Sequence, residues 1–292
     1  MKSRHTILPM LPILVLLYAL SLSSCIYDDG SQCVQYTLTL KLSDTSGRAL
    51  PDSLSGKIKA YMFVDGLYDR TIEQESGGIS YVSFDGRSSV TFVAISSPGG
   101  DSLTLNTPEE GTPIGNMWAE LPQTRSSSVS KQPSLYYGSL SYTPESKPSS
   151  TVSAVLPLYN KRSRVYVVVR HIVSQFGAGD YGIRLSGFRR GISYGGETTG
   201  DSVTYNPRSR ITQSGDLVSD TLSTLPTATS DKITVTLIKD GKNATSFTTD
   251  DSGKPITIGG GEDRCIVIDV SKVRASVTIV PWGESEGGTV FY

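Results

Sequence analysis

Cys25, Cys33 and Cys265 are the chain's thiols, and His5 and His171 its imidazoles. A serine or cysteine triad needs a histidine as its base. His5 sits in the basic start of the chain, which leaves His171. His171 stands in a valine-rich stretch, in phase with Val169 and Val173, so it is expected to face a core. Cys33, Cys265 and His171 have no zinc-ligand spacing. Asp28-Asp29 and Asp250-Asp251 lack the calcium-loop pattern. Gly177-Ala178-Gly179 and Gly259-Gly260-Gly261 open no helix that would cradle a phosphate. Two distant carboxylates could meet for glycoside hydrolysis, but no spacing favours it. Tyr136, Tyr137, Tyr159 and Tyr194 offer faces for a carbohydrate platform, and as strand residues they read first as packing residues. No enzyme, metal or dissociable cofactor is expected. Acylation of a cysteine is the chemistry that remains.

Cys25 is the cysteine placed for it. Lys2, Arg4 and His5 form a short basic start, and residues 7–20 are almost wholly apolar, broken by Pro9 and Pro12. That run is too short and too interrupted for a permanent span, so residues 1–24 read as an export signal peptide. It closes on Leu22-Ser23-Ser24-Cys25: an aliphatic residue, two small residues, then cysteine. This resembles the bacterial lipobox. Cys25 would carry a diacylglycerol and an N-acyl chain such as palmitate, on a lipidated tether over 25–34. Each buried methylene contributes about 0.8 kcal/mol, and more than one chain gives stable anchoring. Ile26-Tyr27-Asp28-Asp29 follows, and its acidic pair resembles a signal that sends lipoproteins to the outer surface of some Gram-negative bacteria. Exported thiols meet oxidising conditions, so Cys33 and Cys265 either bridge or stay as two buried thiols.

The elements behind these groups read as strands. Lys+Arg 27 against Asp+Glu 28 leaves no basic excess for a nucleic-acid partner. A hydrophobic share of 37% suffices for real cores, and the Gly, Pro, Tyr, Ser and Thr content favours strands and turns. Residues 34–42 alternate, with Tyr36, Leu38, Leu40 and Leu42 on one face. Residues 57–64 turn at Asp65-Gly66 into 67–72. Residues 79–84 and 89–95 are expected to pair across Asp85-Gly86-Arg87. Residues 101–134 read as a long loop, and 135–142 and 151–158 as strands. A second set follows: 164–173, 181–188, a loop over 191–210, then 216–225. Residues 232–239 turn at Asp240-Gly241, and 246–249, 256–258, 265–270 and 275–282 close the set. No later stretch of ten or more residues has helical periodicity. The fold class is therefore all-β, as two consecutive β-sandwiches over 35–158 and 159–292, each of about seven strands.

The leader, Ser23-Ser24-Cys25-Ile26-Tyr27-Asp28-Asp29, Cys33 and then an alternating strand resemble the fimbrial anchor lipoproteins of fimbrillin-type (type V) pili. Lys59-Ala60-Tyr61-Met62-Phe63-Val64-Asp65 is similar to that family's early strand, and Val90-Thr91-Phe92-Val93-Ala94 to its next core strand. Leu135-Tyr136-Tyr137-Gly138-Ser139-Leu140 and Arg164-Val165-Tyr166-Val167-Val168-Val169 are similar to later strands. Ala275-Ser276-Val277-Thr278-Ile279-Val280-Pro281-Trp282 is similar to its closing strand. The likeness is one of pattern, and only the residues around Cys25 form a specific motif.

The resemblance implies two Greek-key (transthyretin-like) β-sandwich domains after a lipoprotein signal peptide. It implies a surface-exposed protein, lipid-anchored in the outer membrane at the base of a fimbrium. Its partners would be fimbrial shaft subunits, bound by β-strand complementation, and its role would be to terminate or regulate assembly and contribute to cell adhesion. Shaft subunits of this type exchange strands after arginine-directed cleavage. Here no arginine lies between Cys25 and Arg48, and a cut at Arg48 would detach the protein from its lipid. The N-terminal strand is therefore expected to stay. The competing readings are an accessory or tip fimbrillin adhesin and a carbohydrate-binding surface lipoprotein.

Overall fold

The computed structural model describes residues 34–42, 58–72, 79–84, 88–97, 104–106, 108–120, 135–143, 151–271 and 275–281. The first half builds β1 (Val34–Leu42), β2 (Lys59–Val64), β3 (Leu67–Ile72), β4 (Ile79–Phe84) and β5 (Val90–Ser96). It continues with β6 (Thr104–Leu105), β7 (Trp118–Glu120), β8 (Tyr136–Tyr142) and β9 (Thr151–Asn160). A 7-stranded sheet runs β3-β2-β5-β8-β9-β1-β4. β8 meets β9 only at Tyr136–Asn160 and Tyr137–Tyr159. The sheet folds over at that seam. Ala60, Met62, Val90, Phe92 and Ala94 of the β3-β2-β5-β8 layer pack against Val82, Leu156 and Leu158 of the β9-β1-β4 layer. Gly138 is required at the seam, because a Cβ there would lie 2.3 Å from the Pro157 carbonyl oxygen.

The β2–β3 turn is the one the sequence signals. Asp65 (φ 50°) and Gly66 (φ 80°) are both left-handed, the geometry that matches strand twist in a two-residue hairpin. The hairpin expected across Asp85-Gly86-Arg87 does not form. β4 pairs with β1, while β5 pairs with β2 and β8, so the two strands lie in opposite layers. The turn residues themselves fall outside the described ones.

The second half contains β10 (Ser163–Arg170), the short helix α1 (Ile172–Phe176), β11 (Tyr181–Ser193) and β12 (Thr198–Tyr205). β13 (Ser209–Ile211), β14 (Leu217–Ser219), β15 (Leu222–Thr224) and β16 (Thr234–Lys239) follow. β17 (Lys242–Phe247), β18 (Asp263–Asp269) and β19 (Ser276–Pro281) complete the strands. One sheet runs β13-β14-β10-β18-β19 with β15 beside β10, and the other runs β17-β16-β11-β7-β6 with β12 beside β11. Val165, Val167, Val169, Ile266 and Ile268 of the first sheet pack against Ile183, Leu185, Val235 and Leu237 of the second. In both halves the opening strand pairs parallel to a late one: β1 with β9, and β10 with β18. Such pairings need long crossovers, so no local turn signal marks them.

The expected loops hold strands. Residues 191–210 contain the end of β11 and all of β12, while the single strand expected over 216–225 splits into β14 and β15. Residues 101–134 supply β6, β7 and a 3₁₀ turn at Ile114–Asn116. β7 pairs with β11, so part of this segment extends the second sandwich's sheet.

That crossing creates a third core. Tyr61 and Phe63 of β2 and Val93 and Ile95 of β5 point away from the first core. They pack against Met117, Ala119, Ile192, Tyr194 and Leu225. Tyr194 is fully buried, with its ring 4.9 Å from that of Tyr61. The Tyr137 hydroxyl donates to the Tyr194 carbonyl at 3.1 Å, and the Tyr194 N–H donates to the Met117 carbonyl at 2.9 Å. Arg190 of β11 pairs with Glu120 of β7 at 2.5 Å. The β3-β2-β5-β8 layer is thus covered on both faces, which explains the unbroken apolar runs of β2 and β5.

Candidate functional site

Cys25 and Cys33 lie outside the described residues. The strand that follows them, β1, sits inside a sheet rather than at its edge. Gln35 to Leu42 pair parallel with Thr151 to Leu158 of β9, and Val34 to Thr39 pair antiparallel with β4. Any group attached ahead of Val34 is therefore tied to a strand held from both sides.

Cys265 carries no disulfide to a described residue and is fully buried in β18. It pairs in register with Tyr166 and Val280, and clusters with Val168 and Val267 on the outer face of its sheet. Burial pushes its thiol up to about 11, so little thiolate forms at neutral pH.

His171 departs from its expected place. β10 ends at Arg170, and His171 adopts a left-handed conformation (φ 63°) before α1. Its side chain is half exposed, with Nδ1 3.0 Å from Asp269 Oδ1. Its backbone N–H donates to Asp216 Oδ1 at 2.8 Å. The chain leaves the sheet here, so the phase shared with Val169 and Val173 carries no facing information. Asp269 is held down to about 2: burial opposes its charge, and hydrogen bonds from Ser271 and His171 outweigh that. Among the described residues no group of three or more His, Cys, Asp or Glu could hold a metal ion.

The tyrosines do not form a platform. Tyr136 belongs to the first core, and Tyr137 and Tyr194 to the core between the halves. Tyr159 alone of the four is well exposed, at 47%. It shares the outer face of the β9-β1-β4 layer with Tyr81 and Val155, since their inward neighbours are Leu158, Val82 and Leu156.

The sheet edges are treated unequally. β3 is covered by the segment before the 3₁₀ turn: Tyr68 N–H donates to Thr112, and Gly111 N–H donates to the Tyr68 carbonyl, each at 2.8 Å. β19 is capped by Asp251. The Val277 N–H donates to Asp251 Oδ1 at 2.6 Å, and the Asp251 N–H donates to the Val277 carbonyl at 2.9 Å. Pro281 removes a further donor from that edge. β17 pairs with β16 and, among the described residues, with nothing on its other side. Between β17 and β19 lies a cleft of about 750 Å³, lined by Phe176, Thr245, Phe247, Thr249, Ala275 and Val277 among others. Phe176, Phe247 and Ala275 are half-buried residues that pack on the second core and also face this cleft. The strand expected over 246–249 starts earlier, at Lys242, because Asp240 (φ 50°) and Gly241 (φ 74°) form the same hairpin turn as Asp65-Gly66.

No curated protein matches the chain. Among solved structures, the fimbrial anchor protein Mfa2 from Porphyromonas gingivalis is similar, with TM-score 0.60 and 13% identity, covering 86% of this chain and 98% of that one. A Bacteroides thetaiotaomicron protein described provisionally as polysaccharide-binding has TM-score 0.59 and 13% identity, with 85% and 98% covered. A Bacteroides ovatus protein described provisionally as an adhesin has TM-score 0.58 and 12% identity, with 88% and 96% covered. At these identities the likeness shows the fold. The sequence evidence goes further: the family model of the fimbrillin-A associated anchor proteins Mfa1 and Mfa2 matches residues 25–286, and the chain belongs to that family.

Proposed function

We propose that this chain is an outer-membrane lipoprotein, held by diacylglycerol and an N-acyl chain on Cys25, that fixes the base of a fimbrium to the cell surface. In this reading it binds fimbrial shaft subunits by β-strand complementation, helps terminate or regulate their assembly, and contributes to cell adhesion. Membership of the fimbrillin-A associated anchor family supports a fimbrial anchor or adhesin role. The observation that carries the anchor reading is the placement of β1. A pull on the lipid would reach a strand paired on both sides, with β4 and with β9, so two ladders resist it where an edge strand would have one. Strand addition suits the partner because backbone hydrogen bonds supply affinity and side-chain pockets supply selectivity.

The test is Cys25→Ala in cells that make the fimbria. The variant is expected to fold, to leave the outer membrane fraction and to shed fimbriae into the medium. Variant protein that stays in that fraction and still retains fimbriae defeats the anchor reading. A tip or accessory adhesin is the second reading, favoured by the exposed Tyr81, Val155 and Tyr159 on one sheet face. A deletion strain that keeps its fimbriae attached but loses adhesion supports that alternative.

A further inference from the structure

We propose that the cleft between β17 and β19 seats an extended segment of a fimbrial subunit, added to β17 as the next strand of its sheet. The partner's identity rests on the anchor reading above; the site rests on the second sandwich itself. The two layers of that sandwich both reach this cleft, one through β17 and the other through β19, and among the described residues no strand ladder joins the two. The opening measures about 750 Å³, within the range of ligand clefts. Phe176, Phe247 and Ala275 pack on the core yet stay half-buried along the cleft.

Of the two flanking edges, one is blocked and one is open. Asp251 occupies the Val277 N–H and carbonyl on β19. Among the described residues β17 has a partner on one side only, and the outer edge of a six-residue strand is about 20 Å long. The carboxylates described at the cleft are already engaged. Asp250 Oδ1 accepts from the Ser252 and Lys254 N–H groups, and Asp251 accepts from Val277 and from the Ser276 hydroxyl. Both carboxylates are thus committed to holding the loop. The other described residues of the lining include the side chains of Gln175 and Ser246, the hydroxyls of Thr245, Thr248 and Thr249 and the rings of Phe176 and Phe247. A strand with alternate apolar residues meets both the backbone row and the rings. A sugar could stack on a ring but would leave the β17 row to water.

The experiment uses the lipidated full chain in fimbriated cells. Thr245→Trp fills the cleft from β17, and Ser202→Trp on exposed β12 is the control. Thr245→Trp is expected to reduce the fimbriae retained per membrane-bound molecule at least about tenfold, the loss of ~1.4 kcal/mol of binding. Ser202→Trp should change nothing. Thr245→Cys, labelled with a thiol-to-amine cross-linker, should capture a fimbrial subunit, and Ser202→Cys should not. If Thr245→Trp lowers the melting temperature, the cross-link decides. Full retention by a folded Thr245→Trp protein, or no Thr245→Cys capture while wild type holds its fimbriae, overturns the site. So does glycan binding by the purified protein that Thr245→Trp abolishes. If Cys25→Ala also retains its fimbriae, the anchor reading has failed, and the Thr245→Cys cross-link still reports on the cleft.

Discussion

Asp251 and Val277 are joined twice across the mouth of the second sandwich, by the side-chain bond at 2.6 Å and the backbone bond at 2.9 Å. Val277 is the residue where β19 would otherwise offer a donor and an acceptor to another chain. A carboxylate that takes the donor blocks pairing at that point.

Asp251→Ala should therefore free the edge of β19. The expected stability loss is about 1–2 kcal/mol, the range for a lost charged hydrogen bond near the surface. The more telling outcome is self-association, read by sedimentation at increasing concentration. Asp251→Asn keeps an acceptor and should stay monomeric. If Asp251→Ala is as monomeric as wild type, the pair does not guard the edge.

Tyr194 sits at the centre of the core that joins the two halves. It is fully buried against Tyr61 and Phe63, with ring centroids 4.9 and 6.2 Å apart. Tyr194→Ala should cost about 3–5 kcal/mol, as for other large aromatic truncations. It should also split a single thermal transition into two, because the first and second cores keep their own residues. Tyr194→Phe keeps the ring and should stay within about 1 kcal/mol of wild type. A Tyr194→Ala protein that still melts in one step would show that the halves are coupled elsewhere.

Much of this fold was legible because strand alternation is local. The strands β1, β2, β5, β8, β10 and β16 were readable from their own residues, as was the Asp65-Gly66 turn. Pairing was not. Asp85-Gly86 carries a turn signal as good as Asp65-Gly66, yet β4 and β5 go to different layers, since layer choice depends on distant partners. β6 and β7 lack a pattern because they are short and take their place from β11. Tyr61-Met62-Phe63 and Phe92-Val93-Ala94-Ile95 do not alternate, and such runs mark strands buried on both faces. The cleft was invisible because it is an absence of closure between two sheets, which no single segment encodes.

Asp269 ties stability to acid. Its carboxyl ordinarily titrates near 3.8 and is held at about 2 in the fold. A depressed carboxyl contributes stability above its unfolded value, and loses it as pH falls through the folded one. The contribution should be complete above about pH 4 and gone below about pH 2. Asp269→Asn should cost about 1 kcal/mol at pH 7, less than the whole shift, because solvent screens the partly exposed pair with His171. The gap between variant and wild-type melting temperatures should narrow steadily from pH 4 downward. A gap that stays constant to pH 2 would mean that the carboxylate's charge plays no part.

Cys265 offers a test of oxidation state and burial together. The thiol is fully buried, pushed up to about 11, and sits between Tyr166 and Val280. Two barriers then oppose alkylation at pH 8: reagent cannot reach the sulfur, and the reactive thiolate is scarce. Native protein is expected to resist iodoacetamide at Cys265, and denatured protein to react fully without reductant. Labelling should rise with denaturant along the same curve as loss of β-sheet signal. Labelling of the native protein would show that the outer face of the β10–β18 pair opens locally. Labelling of the denatured protein only after reduction would instead establish a disulfide, and a tryptic peptide joining Cys33 to Cys265 would identify it.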